Sequence, residues 1–263
     1  MSIKSIGIIG TGKVGQAFAL ALHRQGLKVS HLVNRSIAKA QQLAKDIPDS
    51  RASSSLPDDI DCWPSLWIIC VNDDNITQAI KEIARLNANA LVCHTSGSFN
   101  TKSMHHLLPH LSVLYPLQTF SEGKAIDFQA IPLCIYAPDE ALITKIKSLA
   151  HCISNNITVI NDEDRQILHL SAVFINNFTN AMIHCSQQIL NKGNLSPDLL
   201  MPLLYETVEK LTTLSSADAQ TGPAIRGDQT TIDNHMKTLA NYPEIYSQMY
   251  RLMTDYIQKH IRN

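Results

Sequence analysis

The feature that most constrains this chain is the string Gly10-Thr11-Gly12-Lys13-Val14-Gly15, entered from the apolar run 5–9 and leading straight into an amphipathic stretch. Glycines at the spacing G-x-G-x-x-G suit a strand that turns sharply into a helix. The first permits the turn, the second keeps side chains away from an approaching ligand, and the third lets helix and strand pack closely. Amides in the first turn of such a helix lack intrahelical partners and carry the positive end of its dipole, which suits a pyrophosphate. The bland alternative is a structural strand-to-helix turn.

The rest of the first 160 residues keeps the same rhythm. Short β-rich runs at 5–9, 28–34, 66–71, 90–94, 111–115, 132–137 and 157–160 alternate with amphipathic stretches at 14–25, 37–46, 75–86 and 139–151. The runs 66–71 and 90–94 are almost continuously apolar, as in strands covered on both faces. This alternation predicts an α/β domain over residues 1–160, a doubly wound parallel sheet of Rossmann type. Segment 52–64 reads as irregular connection with room for one short strand.

Beyond Ile160 the strand signals stop. Ile167, Leu170, Phe174, Phe178 and Met182 recur at helical spacing and predict one long helix ending near Gly193. Ser196-Pro197 opens a further helix over 198–214, and 219–227 is a loop. Asp228 caps a helix at 229–240, and Pro243 starts the last one. Residues 161–263 therefore read as a smaller all-helical domain.

Composition narrows the partners. The chain has 263 residues, 44% hydrophobic and 17% charged, with a net charge of −1. That balance gives no general attraction to nucleic acid or anionic lipid, so an anion site must be built locally. No run approaches the ~20 apolar residues of a membrane span, and 6–9 is too short for a signal-peptide core. The six cysteines form no Cys-x-x-Cys pair and are expected to be buried free thiols, as in a cytoplasmic protein. Of His105, His106 and His110 only the last two have helical spacing, with Pro109 between them, so no metal site is expected.

Which dinucleotide the glycine loop would take depends on the end of the second strand. An acidic residue there holds the ribose hydroxyls of NAD; this chain has Asn34-Arg35-Ser36. A guanidinium can pair with a 2′-phosphate and stack on adenine, and Asn34 and Ser36 can add hydrogen bonds, which favours NADP. The alternative is a solvated arginine beside a helix cap. Ligands of open parallel sheets lie beyond the carboxyl ends of the strands. Val71-Asn72 and Thr95-Ser96 complete the expected cofactor set, with Ser98 toward substrate. Their alternatives are a helix cap at 72–75 and a plain turn at 96–98.

With these residues in place, the chain resembles a group of Rossmann-like proteins with a helical C-terminal domain of unassigned function. They are related to deazaflavin-dependent NADP reductases and, more distantly, to 6-phosphogluconate and hydroxyisobutyrate dehydrogenases. The resemblance rests on Gly10–Gly15, Asn34-Arg35-Ser36, the segment 94–98, Tyr115-Pro116-Leu117-Gln118-Thr119-Phe120, the segment 168–178 and Thr221-Gly222-Pro223 with Arg226-Gly227-Asp228. It implies a nucleotide-binding oxidoreductase, a homodimer joined through the helical domain. Two departures stand out. Tyr115 occupies the place of a histidine common in such relatives, and no lysine lies between Asp162 and Gln188, where sugar-acid dehydrogenases carry a catalytic one.

A nicotinamide enzyme needs a proton donor or acceptor and something to orient substrate. His169 on the long helix is the candidate relay; Asn176 shares its face at a spacing of seven, and Asn177 lies about 80° away. A histidine merely hydrogen-bonded inside a helix interface is the alternative. Asn177 is carried as a second catalytic candidate, and Gln118 and Arg226 as substrate contacts; Arg226 equally suits a salt bridge across a dimer. Arg165 reads as a helix-surface residue or a carboxylate clamp. The expected function is an NADP(H)-dependent oxidoreductase acting on a small carbonyl, imine or hydroxy-acid substrate between the domains. Its rival is a non-catalytic NADP(H)-binding sensor or interaction protein.

Overall fold

A computed structural model describes residues 3–121 and 126–261. Eight strands form one sheet: β1 (Ile6–Ile9), β2 (Val29–Val33), β3 (Arg51–Ser53), β4 (Leu66–Ile69), β5 (Val92–His94), β6 (Leu111–Pro116), β7 (Leu133–Tyr136) and β8 (Ile157–Val159). Their order is β3-β2-β1-β4-β5-β6-β7-β8. All neighbours run parallel except β6 and β7, whose pairing is antiparallel. The order reverses between β1 and β4, the switch point at which sheets of this type bind ligands.

Alternation along the strands explains the two covered faces. Ile6 and Ile8 of β1 join Leu66 and Ile68 of β4 in one cluster, while Ile9 joins Trp67 and Ile69 in another. Helix α1 (Lys13–Arg24) buries Gly15, Phe18, Ala19 and Leu22, and with α2 (Ile37–Ala44) and α4 (Glu140–His151) it covers the first face. Helix α3 (Asp73–Leu86) covers the second through Ile76, Ala79, Ile80 and Ile83. Both apolar sets recur at i, i+3, i+4 and i+7, the stripe of a helix lying on a sheet. The doubly wound parallel sheet expected from the alternation is present, with a helical region after it.

The chain divides into compact units Met1–Val173 and Phe174–Asn263. Helix α5 (Asp162–Ala172) thus goes with the sheet, whereas the sequence puts the change of character at 160/161. The cause is local: Asp162 and Arg165, both buried, bind the segment 99–102 of the sheet unit.

The single long helix expected from 162 to 191 is interrupted. Val173–Phe178 forms a π-helical turn before α6 (Thr179–Lys192). Wider i→i+5 winding breaks the 100° spacing, so positions 169, 176 and 177 cannot be placed on one helical wheel. Downstream, Pro197–Leu200 is a 3-10 turn opened by Ser196, and α7 (Met201–Lys210) stops short of 214. The loop 219–227 contains the one-turn helix α8 (Pro223–Arg226), closed by Gly227 at φ +68°. Asp228 caps α9 (Gln229–Leu239) by accepting from the Thr231 amide at 3.1 Å, and α10 (Glu244–His260) follows.

Candidate active site

Strand β1 ends at the switch point in Gly10, whose φ of +94° favours glycine; a Cβ there would meet the Cys70 carbonyl oxygen at 2.7 Å. At Gly15 a Cβ would lie 1.9 Å from the Gly10 carbonyl oxygen, so helix and strand touch through bare backbone. At Gly12, the N-cap of α1, a Cβ would meet nothing within 4 Å. No side chain caps this helix, and its first turn carries no acidic residue, so the outward amides and the dipole stay open. Lys13 is exposed and Val14 half-buried. The Thr11 hydroxyl is buried and, among the described residues, without a hydrogen-bond partner.

Gly10 and Gly12 line a cleft of about 360 Å³ together with Val33, Asn34, Arg35, Lys39, Val71 and Asn72. The glycine loop and the arginine one strand over therefore share one space. Arg35 is exposed, with no side-chain hydrogen bond or ion pair among the described residues. Asn34 donates its side-chain amide to the Ser36 carbonyl at 3.0 Å, which shapes the turn into α2. Ser36 is the N-cap of α2, although its side chain makes no cap hydrogen bond.

Register puts a second cluster on the same carboxyl edge, since Ile9 pairs with Ile69, Ile69 with His94, and His94 with Val113. Three strand spacings of ~4.8 Å separate β1 from β6, or ~14 Å across this edge. The hydroxyls of the loop after β5 are already committed. Thr95 donates to the Ile69 carbonyl at 3.1 Å, and Ser96 donates to Asp73 Oδ2 at 2.9 Å. Ser96 Oγ also accepts from the amides of Ser98 (3.1 Å) and Phe99 (3.0 Å), and exposed Ser98 donates to the same Asp73 oxygen. Ser96 is thus a loop-shaping residue, buried and saturated.

Tyr115, at the end of β6, meets His169 of α5: hydroxyl oxygen and Nδ1 are 3.0 Å apart. Burial, with the thiol of Cys134 next in effect, pushes the tyrosine up to about 12. A hydroxyl held protonated donates to Nδ1, and the proton of the neutral imidazole then belongs on Nε2. Gly97 makes this contact possible, because a Cβ there would sit 2.5 Å from His169 Nδ1 and 2.9 Å from Tyr115 Cζ. The residue that departs from the expected histidine is therefore the partner of the histidine expected to carry the proton.

A buried polar chain fixes this loop from behind. His94 Nδ1 accepts from the Ser96 amide (3.2 Å), so Nε2 donates to Thr101 Oγ1 (2.9 Å), and Thr101 donates to Asp162 Oδ1 (2.8 Å). Arg165 donates Nη1 to Asp162 at 2.6 Å and Nη2 to the Phe99 carbonyl. Burial drives His94 down to about 3, assisted by the Arg165 charge, which keeps the ring neutral. Burial alone would raise Asp162; hydrogen bonds from Thr101, the Lys102 amide and Arg165 outweigh it and hold the carboxyl low. Arg165, fully buried, is neither a surface residue nor free to clamp a substrate carboxylate.

Gln118, the remaining sequence candidate of the sheet unit, is not brought into these clusters. Gln118 is exposed and accepts from the Thr119 amide. Asn177 lies exposed in the π turn, where Asn176 donates to it at 3.4 Å, and Arg226 is exposed at the end of α8. His235 meets the Tyr250 hydroxyl at 2.7 Å. Among the described residues no group of three or more His, Cys, Asp or Glu is arranged to hold a metal, and no helix is long and apolar enough to cross a membrane. All six cysteines are free, but Cys62 and Cys152 are exposed, contrary to the expectation that all are buried.

A 321456 strand order with an open glycine-capped helix at its switch point defines a Rossmann-type α/β fold. Residues 2–112 match the Rossmann-like domain, and residues 131–257 match DUF2520, a domain of unknown function. A candidate NADP oxidoreductase of Bacteroides fragilis is 33% identical, covers 98% of this chain and 99% of its own, and superposes with a TM-score of 0.88. The chain belongs to this family of Rossmann-like proteins with a DUF2520 region. A Thermotoga maritima protein shares the fold at 22% identity and a TM-score of 0.74, over 95% of this chain and 98% of its own. The imine reductase of Aspergillus terreus, solved with NADPH4 and a dibenzazepine, does so at 15% and 0.68, over 100% and 96%. No protein of curated function matches the sequence.

Proposed function

We propose that this chain is an NADP(H)-dependent oxidoreductase acting on a small carbonyl, imine or hydroxy-acid substrate. The observation that carries the reading is the shared cleft: Gly12, with open space above it, and Arg35, exposed and unpaired among the described residues, line the same cavity. The amides of residues 12–15 would hold the pyrophosphate and Arg35, with Lys39, the 2′-phosphate. Thr11 would contribute backbone, since its hydroxyl is sealed from the cleft side by burial. The bound dinucleotide would supply or accept the hydride. Tyr115 and His169 would relay the proton, with His169 Nε2 as the ring nitrogen that the Tyr115 bond leaves free. Fluorescence titration with NADPH and NADH tests this. Arg35→Ala should weaken NADPH by ~1–3 kcal/mol and leave NADH unchanged. Equal affinity of the parent protein for both cofactors would remove the role given to Arg35.

We further propose that two copies associate through the helical unit. Its only buried hydrophobic residues among those described are Ala224, Ile232 and Leu239, while Leu199, Leu203, Tyr205 and Val208 are each at least 60% exposed. Apolar surface left on that scale marks an association face.

A further inference from the structure

The hydroxyl protons along the β4–β5 edge all point inward. Thr95 gives its proton to a main-chain carbonyl, and Ser96 and Ser98 give theirs to Asp73. Ser98 therefore shows solvent its lone pairs, and Asp73 keeps a second oxygen, Oδ1, without a partner among the described residues. Gly97, between the two serines that Asp73 binds, abuts both His169 and Tyr115, so the carboxylate belongs to the same neighbourhood as the proton relay. The guanidinium near this edge, Arg165, is buried and held by Asp162 and the Phe99 carbonyl, and Lys102 pairs with Glu163 at 3.1 Å. The edge is rich in acceptors, and the Asp73 carboxylate is exposed on it, with Asp74 exposed beside it.

Such a surface repels a carboxylate and offers a neutral carbonyl none of its three hydroxyl protons, whereas a protonated nitrogen matches it in charge and in hydrogen-bond polarity. Resting on the oxidoreductase reading above, we infer that the substrate is a cation: a protonated imine, with the corresponding amine as product, recognised by Asp73 and Ser98. The step balances with NADPH as the hydride source. The imine carbon gains the hydride with its electron pair, the C=N π pair moves to nitrogen, and a neutral amine is left, which takes its next proton from solvent. The charge that Asp73 recognises disappears as the bond forms. Asp73 then favours the bound substrate and the protonated form of the released amine.

Calorimetry on the NADP⁺-saturated protein tests this without turnover. Pyrrolidine, charged at neutral pH, should bind at least about tenfold tighter than cyclopentanol, with cyclopentanecarboxylate weakest. Asp73→Asn, which keeps an acceptor for both serines, should abolish the preference, and Asp73→Glu should retain it. A five-membered cyclic imine should likewise oxidise NADPH faster than cyclopentanone. Pyrrolidine binding no tighter than cyclopentanol, or a preference that survives Asp73→Asn, overturns the inference while leaving NADP binding intact. An Asp73→Asn effect confined to the NADP⁺-to-NADPH affinity ratio would do so too, reassigning the carboxylate to the oxidised nicotinamide. Failure to bind NADP⁺ at all would sink the oxidoreductase reading itself.

Discussion

The two units of this chain treat their apolar side chains in opposite ways. In the sheet unit Ile8, Leu32, Leu66, Ile68 and Val92 are each fully buried, and clusters on both faces leave few large apolar groups outside. In the helical unit α7 alone exposes Leu203, Tyr205 and Val208. A parallel sheet with helices on both sides supplies its own cover; short helices joined by turns do not. Stability of the first unit is therefore intramolecular, and that of the second is expected to depend on concentration.

The comparison can be broken most forcefully at the pair that ties α5 to the sheet. Arg165→Met leaves Asp162 buried without its charge partner and should cost ~3–5 kcal/mol in denaturant unfolding. A loss below 1 kcal/mol would mean that the loop 99–102 is held by other contacts.

Acid provides the next lever. His94 has a folded pKa of about 3 against 6.5 unfolded, so protons bind preferentially to the unfolded chain between those values. Its contribution is whole above pH 6.5 and is lost as pH falls toward 3, by at most about 1.4 kcal/mol per pH unit. Asp162, also depressed, adds to the loss only below the ordinary carboxylate range. Thermal unfolding from pH 7 to 4.5 should steepen in the parent and flatten in His94→Gln. An unchanged slope would place the titrating group elsewhere.

The smallest effect on the folded monomer should come from Leu203→Glu on α7, where the side chain is 62% exposed. If the proposed association through the helical unit holds, light scattering should nevertheless show the variant shifted toward monomer relative to the parent. A parent protein monomeric at high concentration would erase the contrast between the units.

What the sequence made legible follows the same division. The glycine loop, the alternating runs and Arg35 are local signals, because strand and helix periods are written over four to ten neighbouring residues. The bond between Tyr115 and His169 spans 54 residues and that between Ser96 and Asp73 spans 23, so neither leaves a trace in local spacing. Asp73 drew no reading of its own, because the segment 72–75 looks like a helix cap; its reach to the serines exists only once β4 and β5 pair. Arg165 misled for a related reason, since an arginine flanked by acidic residues reads as surface until a carbonyl from another segment meets it. The π turn was invisible because its residues Val173–Phe178 are ordinary helix formers in pattern.

Gly97 has a consequence for how this protein can vary. Exposed Ser98 can trade its hydroxyl, and Asp73 can lengthen or lose its charge, each changing the polarity of the edge. At 97 even one methyl group would have to displace the imidazole or the phenol. Diversification among relatives is thus channelled into the rim, while the spacing between main chain and the tyrosine–histidine couple stays fixed by the absence of a side chain.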